Sequence, residues 1–173
     1  MADHMAGNPN KPTAEPFFRA MGEGEKDLSF NLLVRHVAKA DQTEREFGLI
    51  EMSGIKGKEA PPHSHGNEAE AFFGLEGTVR VWVEDVDVLM RPGDFVYIPR
   101  HARHKFRIES EYAKFLCLIA PGTGFEDFFH VLGESTTDAY APNAENFREY
   151  PPREAFAEAA PRFNWYLEKE WTS

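Results

Sequence analysis

Short apolar runs separated by turn residues dominate the middle of the chain. In TVRVWVED, three valines alternate with Arg80 and Trp82, so one face of a strand is apolar and the other is mixed. The runs FGLIEMSGIKG, VLMRPGDFVYIP and KFLCLIAP are also rich in β-branched and aromatic residues and end at Gly, Pro or Asp. Several short strands at close spacing predict an all-β sandwich or barrel.

The pattern changes at both ends of the chain. The polar, proline-containing start predicts a flexible N-terminal arm over residues 1–26, followed by a β-barrel over residues 27–122. GFEDFFHVLGES has phenylalanines at helical spacing, and NAENFREY and PPREAFAEAA predict further short helices. Residues 123–173 are therefore predicted to form a helical and aromatic extension, with Trp165, Tyr166 and Trp171 packed back on the barrel.

Charge and cysteine content exclude several classes of function. The 173 residues contain 19 Lys and Arg against 29 Asp and Glu, and the net charge is −10. An acidic chain without a basic stripe is a poor binder of nucleic acid or anionic lipid. The lone Cys117 lies in an apolar run and reads as a small buried side chain. The start resembles no secretion signal and no apolar run is long enough to span a bilayer, so we expect a cytoplasmic protein.

The segment PPHSHGNEAE concentrates residues that bind metals. His63 and His65 are two positions apart, so both project to the same side of a strand, and a turn through GNEA allows an acid to follow on that side. Imidazole and carboxylate together suit Fe, Mn, Co, Ni, Cu or Zn. A third nitrogen ligand must come from elsewhere, and the candidates are His4, His36, His101, His104 and His130.

Two motifs in this region resemble those of the cupins. Gly57, His63, His65, Glu70 and Gly77 match every spacing of the first cupin motif. The second motif is matched by the residues Gly93, Pro99 and His104, while His101 replaces its inner Gly and Ile108 its final Asn. The resemblance implies a double-stranded β-helix (jelly-roll) barrel, short C-terminal helices and a metal site. Its implied ligands are His63, His65, Glu70 and His104.

A wider stretch resembles small single-domain quercetin 2,3-dioxygenases. APGTGFEDFF lies outside the general cupin motifs, and the resemblance spans roughly residues 45–170. It implies a dioxygenase with one divalent transition metal that uses O₂ to cleave or oxidise an enolised aromatic compound, flavonol-like or polyketide-derived. Glu70 is then both a ligand and the general base that takes the substrate's hydroxyl proton. Single-domain cupins also commonly cover barrel edges with a second copy, so we expect a homodimer.

The remaining polar candidates have more ordinary interpretations. Glu68 follows His65 too closely for the motif, which favours solvent or a contact behind the ligands over ligation. A surface turn is favoured for His101, a structural strand position for His36 and a helix surface for His130. Phe72 and Phe106 each follow a ligand by two residues, and Phe129 lies on the helix that would cap the barrel. We expect these three phenylalanines to form the substrate-binding wall.

Two other functions stay open at this point. One is an O₂-independent cupin isomerase, lyase or cyclase of natural-product metabolism, in which the metal only polarises a carbonyl or stabilises an enolate. The other is a non-catalytic barrel that binds a small molecule. The complete ligand set and the absence of a DNA-binding helix-turn-helix argue against the second.

Overall fold

A computed structural model describes residues 14–138 and 153–169. In these residues the chain forms antiparallel strands and two short α-helices. The strands are β1 Lys26–Ser29, β2 Leu32–Ala38, β3 Gly48–Ile55, β4 His63–His65, β5 Ala69–Glu76, β6 Val79–Val83, β7 Val86–Met90, β8 Phe95–Ile98, β9 His104–Ile108, β10 Tyr112–Ala120, β11 Glu134–Ser135 and β12 Trp165–Leu167. The helices are α1 Asp127–Leu132 and α2 Arg153–Ala159.

The strands form two sheets that face each other across one core. The larger has the order β11-β1-β2-β3-β10-β5-β8 and the smaller the order β12-β4-β9-β6-β7. From β3 to β10 the chain crosses repeatedly between the two sheets, and only β6 and β7 follow each other in the same sheet, as in a jelly roll. This arrangement confirms the predicted all-β cupin barrel.

The core lies between the two sheets because each strand alternates. In β6 the three valines are buried and Arg80 and Trp82 face outward, as the sequence pattern predicts. Phe106 and Phe115 fill the middle of the barrel, with ring centroids 5.2 Å apart. Such buried rings dominate the packing energy of a small barrel.

The C-terminal extension caps one end of the barrel. α1 buries Phe128, Phe129 and Leu132, but it is shorter than the helical pattern suggests, because the chain leaves the helix at Gly133 and enters β11. PPREAFAEAA forms α2, while NAENFREY and Trp171 lie outside the described residues. The sequence pattern did not predict that the extension returns to the barrel as β12. Among the described residues, no helix has the length and apolar character needed to cross a membrane.

The predicted boundaries between the arm, the barrel and the C-terminal extension, at residues 26 and 122, stay a prediction. β1 begins at Lys26, and β10 ends at Ala120, close to both. Before β1, Arg19 donates a hydrogen bond from Nε to the Val37 carbonyl at 2.7 Å, so a residue within the predicted arm contacts β2.

Candidate metal centre

Three strands of the barrel bring the four motif residues together. His63 and His65 lie on β4, Glu70 lies on β5 and His104 lies on β9. One ligand atom from each residue lies within 4.8 Å of the others, and all four side chains are buried. Residues that are 41 positions apart in sequence thus meet because β4 and β9 pair at His63 and His104.

The His63 and His104 rings are oriented by backbone carbonyls. His63 Nδ1 donates to the Pro61 oxygen at 2.7 Å, and His104 Nδ1 donates to the Ala102 oxygen at 2.9 Å. When Nδ1 carries the proton and donates this hydrogen bond, the lone pair on Nε2 is available to a metal. His104 Nε2 lies 3.1 Å from Oε2 of Glu70, inside the cluster. Both rings are therefore arranged as metal ligands usually are.

His65 and Glu68 carry polar atoms with no hydrogen bond of good geometry. Oε1 of Glu68 lies 3.2 Å from Nδ1 of His65, and Nε2 of His65 lies 3.6 Å from Oε1 of Glu70. Neither ring nitrogen of His65 and neither oxygen of Glu68 is hydrogen-bonded, although both side chains are almost fully buried. Unsatisfied buried groups are costly. A cation at the centre of the cluster would take up the Nε2 lone pair of His65, so this ring fits a metal ligand.

The charges in the cluster also suit a cation. Burial raises the pKa of the Glu70 carboxyl, but the neighbouring His65 and His104 outweigh it and hold this pKa below its usual value. Burial and the nearby His104 and His65 hold the pKa of His63 well below its usual value. An ionised carboxylate and a neutral imidazole are the forms that ligate metals.

The cluster opens into a cavity with mostly apolar walls. Phe72, Phe106 and Phe129, which the sequence analysis places in a substrate wall, all line it together with His63 and Glu70. Its volume is about 40 Å³. Such a volume holds only a few water molecules. The structure thus places the three phenylalanines around one space beside the cluster.

Two further lining residues were not predicted as site residues. Cys117 is buried as expected, but its Sγ also lies 3.6 Å from Oε1 of Glu70, since β10 pairs with β5. Burial, and then the Glu70 charge, raise the pKa of this thiol well above its usual value, so it stays protonated. Trp165 stacks on His63 with ring centroids 4.9 Å apart. The sequence predicts that Trp165 packs on the barrel but contains no signal for its contact with a ligand.

Two of the other histidines belong to a separate structural cluster. His36 Nε2 lies 2.8 Å from Oδ2 of buried Asp27, and His130 Nδ1 lies 3.1 Å from its Oδ1. His36 is buried in β2 while the His130 side chain is 55% exposed on α1, as the structural interpretations predict. His4 lies outside the described residues.

His101 occupies the turn where the cupin motif has glycine. It is exposed and its φ is +65°, a left-handed conformation that glycine adopts without strain. Its backbone N–H donates to the His65 carbonyl at 2.9 Å. The turn between β8 and β9 therefore keeps the conformation that the motif glycine would give it, and its backbone supports β4.

Comparisons with known proteins agree with this fold. The family model described as "Cupin domain" matches residues 52–119. The chain is 34% identical over 121 residues to a quercetin 2,3-dioxygenase of Bacillus subtilis, covering 70% of this chain and 36% of the relative. It is 30% identical over 94 residues to a quercetin 2,3-dioxygenase of Aspergillus japonicus, covering 49% of this chain and 27% of the relative. The chain thus spans about a third of the length of these curated relatives.

Solved structures with low sequence identity share the barrel. KdgF from Halomonas sp. is 19% identical with a TM-score of 0.54, covering 61% of this chain and 94% of that one. An RmlC-like cupin from Shewanella frigidimarina is 19% identical with a TM-score of 0.55, covering 64% and 94%. The motif spacing, the two-sheet barrel and the family match together show that the chain is a cupin similar to quercetin 2,3-dioxygenases.

Proposed function

We propose that the protein is a metal-dependent dioxygenase that uses O₂ to cleave or oxidise an enolised aromatic compound, either a flavonol or a polyketide-derived phenol. The observation that carries this proposal is the buried cluster of three histidines and one glutamate at the inner end of an aromatic cavity. The similarity to two quercetin 2,3-dioxygenases supports the reaction class. Because the chain spans only part of those relatives, the substrate is itself part of the proposal.

The four clustered side chains would hold one divalent transition metal, whether Fe, Ni, Mn, Co, Cu or Zn. When bound, the metal supplies Lewis acidity that lowers the pKa of a substrate hydroxyl. Glu70 faces both the cluster and the cavity, so its carboxylate would accept the hydroxyl proton. The substrate then becomes an electron-rich anion, which is the form that reacts with O₂.

The apolar walls would position the substrate ring beside Glu70. Phe72 and Phe106 approach from the barrel strands, and Phe129 approaches from α1. Aromatic side chains of this kind suit flat apolar ligands. The cavity of about 40 Å³ is smaller than a cavity that holds benzene, which is about 150 Å³. A ring-bearing substrate therefore requires the rings that cap the barrel to move outward.

The first experiment measures O₂ consumption by purified protein whose bound metals have been quantified. The panel contains flavonols and hydroxylated polyketides. We expect metal-dependent uptake with at least one compound, and removal of the metal by a chelator should abolish it. A metal-loaded protein that consumes no O₂ with any compound in the panel would contradict the proposed dioxygenase.

Glu70→Gln tests the proposed base. We expect the variant to retain part of its metal and to lose about 10²- to 10⁴-fold in turnover, the usual contribution of general base catalysis. Glu76→Gln is the matched control, because Glu76 is an exposed glutamate on the same strand. Turnover near the wild-type value in Glu70→Gln would exclude the base role.

The second candidate function is an O₂-independent isomerase, lyase or cyclase. The small cavity favours it, because a compact enolisable substrate needs less movement of the cap than a flavonol does. The same turnover under strict anaerobiosis as in air would support this function and reject the dioxygenase. Binding without turnover under both conditions would leave the non-catalytic barrel.

We also propose that two copies of the chain associate. Phe73, Leu75, Phe95, Tyr97 and Leu118 are exposed on the outer face of the larger sheet. Phe73 and Phe95 are cross-strand neighbours, and β8 is one of the two edge strands of this sheet among the described residues. An exposed apolar edge is normally covered, and a second copy can pair with it across a two-fold axis. Light scattering should give twice the mass of the chain, and a monomer would contradict the homodimer.

Cytoplasmic location stays a prediction.

A further inference from the structure

The short strand β4 carries two of the four clustered side chains but has little support from β9. Its pairing with β9 consists of one residue pair, His63 with His104. On its other edge β4 pairs with β12 over its whole length, with Trp165 opposite His65 and Leu167 opposite His63. The strand that presents both histidines is therefore held mainly by a segment that lies beyond residues 52–119, the part matched by the cupin family model.

Hydrogen bonds extend this contact past both ends of β12. The Gly66 N–H donates to the Asn164 carbonyl at 2.9 Å, and the Glu168 N–H donates to the Pro62 carbonyl at 2.9 Å. Between them, Ser64 Oγ donates to Oε1 of Glu168 at 2.7 Å. The two segments are thus matched from residue 62 to residue 66, which fixes the backbone from which His63 and His65 project.

The Trp165 side chain adds a direct contact with a clustered ring. Its indole is 5% exposed and lies nearly parallel to the His63 imidazole, with an interplanar angle of 17° and ring centroids 4.9 Å apart. Phe128 stacks with Trp165 at 5.9 Å, and Phe156 meets it edge-on at 4.5 Å. The indole is therefore itself held in place, and the His63 ring packs against it.

We propose that Trp165 is a positioning residue of the metal centre, and this inference rests on the proposed metal function. The hydrogen bond from His63 Nδ1 to Pro61 sets which nitrogen is free, and the flat indole sets the plane of the ring. An imidazole binds a metal through a lone pair that lies in the ring plane, so holding that plane aims the lone pair. Partners behind a ligand typically change metal affinity about 10- to 100-fold when they are mutated.

The test is Co²⁺ binding to the metal-free full-length protein, measured by calorimetry and by the visible absorption of the bound ion. The variant Trp165→Leu removes the flat face, and Trp165→Phe keeps an aromatic one. We expect Trp165→Leu to bind Co²⁺ about 10- to 100-fold more weakly with a changed absorption spectrum, and Trp165→Phe to stay close to wild type in both. Tyr166→Phe is the matched control, since Tyr166 is on the same strand and half-exposed.

A second variant keeps the test decisive if Trp165→Leu does not fold. Trp165→Met fills the space with a flexible chain but offers no ring. Wild-type Co²⁺ affinity and absorption in a folded Leu or Met variant would overturn the positioning role while leaving the metal centre intact. Failure of the wild-type protein to bind Co²⁺ would overturn the metal centre and the positioning role together. A purely structural role would lower the melting temperature of the variants without changing the absorption spectrum of bound Co²⁺.

Discussion

The buried carboxylate of Glu68 provides a sharp prediction about the metal centre. Its side chain is 0% exposed, and Oε1 lies 3.2 Å from Nδ1 of His65. Although this contact lacks hydrogen-bond geometry, the negative charge behind the imidazole favours a proton on Nδ1 and makes Nε2 a stronger donor to a metal. Glu68→Gln keeps the size of the side chain and removes its charge. We expect it to lower metal affinity about 10- to 100-fold, which is about 1.4–2.8 kcal/mol.

This loss of affinity has a measurable effect on thermal stability. At a metal concentration of about 100 times the wild-type dissociation constant, binding stabilises the folded protein by about 2.7 kcal/mol. A 10- to 100-fold weaker site loses about 1.3–2.3 kcal/mol of that stabilisation at the same concentration. For a chain of this size, the rise in melting temperature on adding metal should be smaller by about 3–9 °C.

Differential scanning fluorimetry with and without metal, together with competition against a chelator, measures both quantities. Glu76→Gln is again the control, because it removes the same charge from an exposed position on β5. Equal metal affinity and an equal rise in melting temperature in Glu68→Gln and wild type would refute the reasoning, since the charge behind His65 would then have no influence on the site.

Three further predictions concern the cavity, a turn and a partly buried ion pair. Phe129→Ala should raise KM roughly tenfold, because Phe129 lines the cavity. The metal content should stay unchanged, because the ring contacts of Phe129 are with other phenylalanines. Steady-state kinetics and metal analysis check these two expectations. Gly77→Ala should destabilise the protein by about 2–3 kcal/mol in urea unfolding, since φ is +70° and the new Cβ would lie 2.1 Å from the Tyr112 carbonyl oxygen. Burial raises the pKa of Glu51, but the ion pair with Arg35 outweighs burial, so the pKa in the folded protein is lower than in the unfolded chain. The pair therefore stabilises the fold above pH 4.5, and this stabilisation is lost as the pH falls through the folded pKa. The difference in unfolding free energy between wild type and Glu51→Gln should shrink below pH 4.5.

The sequence predicts those parts of the site that depend on local spacing. His63 and His65 share one side of a strand because alternate residues do, and Phe72 lines the same cavity as Glu70 for the same reason. The buried valines of β6 follow from alternation in the same way. These features depend only on the two-residue period of a strand, so a single sequence is enough to predict them.

Features that depend on which strands become neighbours could not be predicted in this way. Cys117 reads correctly as a buried side chain, but its place beside Glu70 depends on the register of β10 against β5. The sequence allows Glu68 to lie either in solvent or behind the ligands, and only the turn after β4 decides for the buried position. Neither the register nor the direction of that turn is encoded in the alternation of apolar and polar residues.

Trp165 shows where the sequence reasoning ends. Its aromatic surroundings predict burial, yet nothing in NWYLEKE distinguishes a tail that covers the barrel from a strand that joins it. The decisive step is Asn164, whose left-handed φ of +48° turns the chain after the short 3₁₀ helix Ala160–Phe163 and brings Trp165 onto β4. The strand with both histidines thereby gains a full-length neighbour, and His63 gains the indole on which it stacks. A cap that moves outward to admit substrate would carry Phe128 with it, and Phe128 stacks on this same indole. If the proposed function holds, substrate entry would therefore be connected to the orientation of His63 through Trp165.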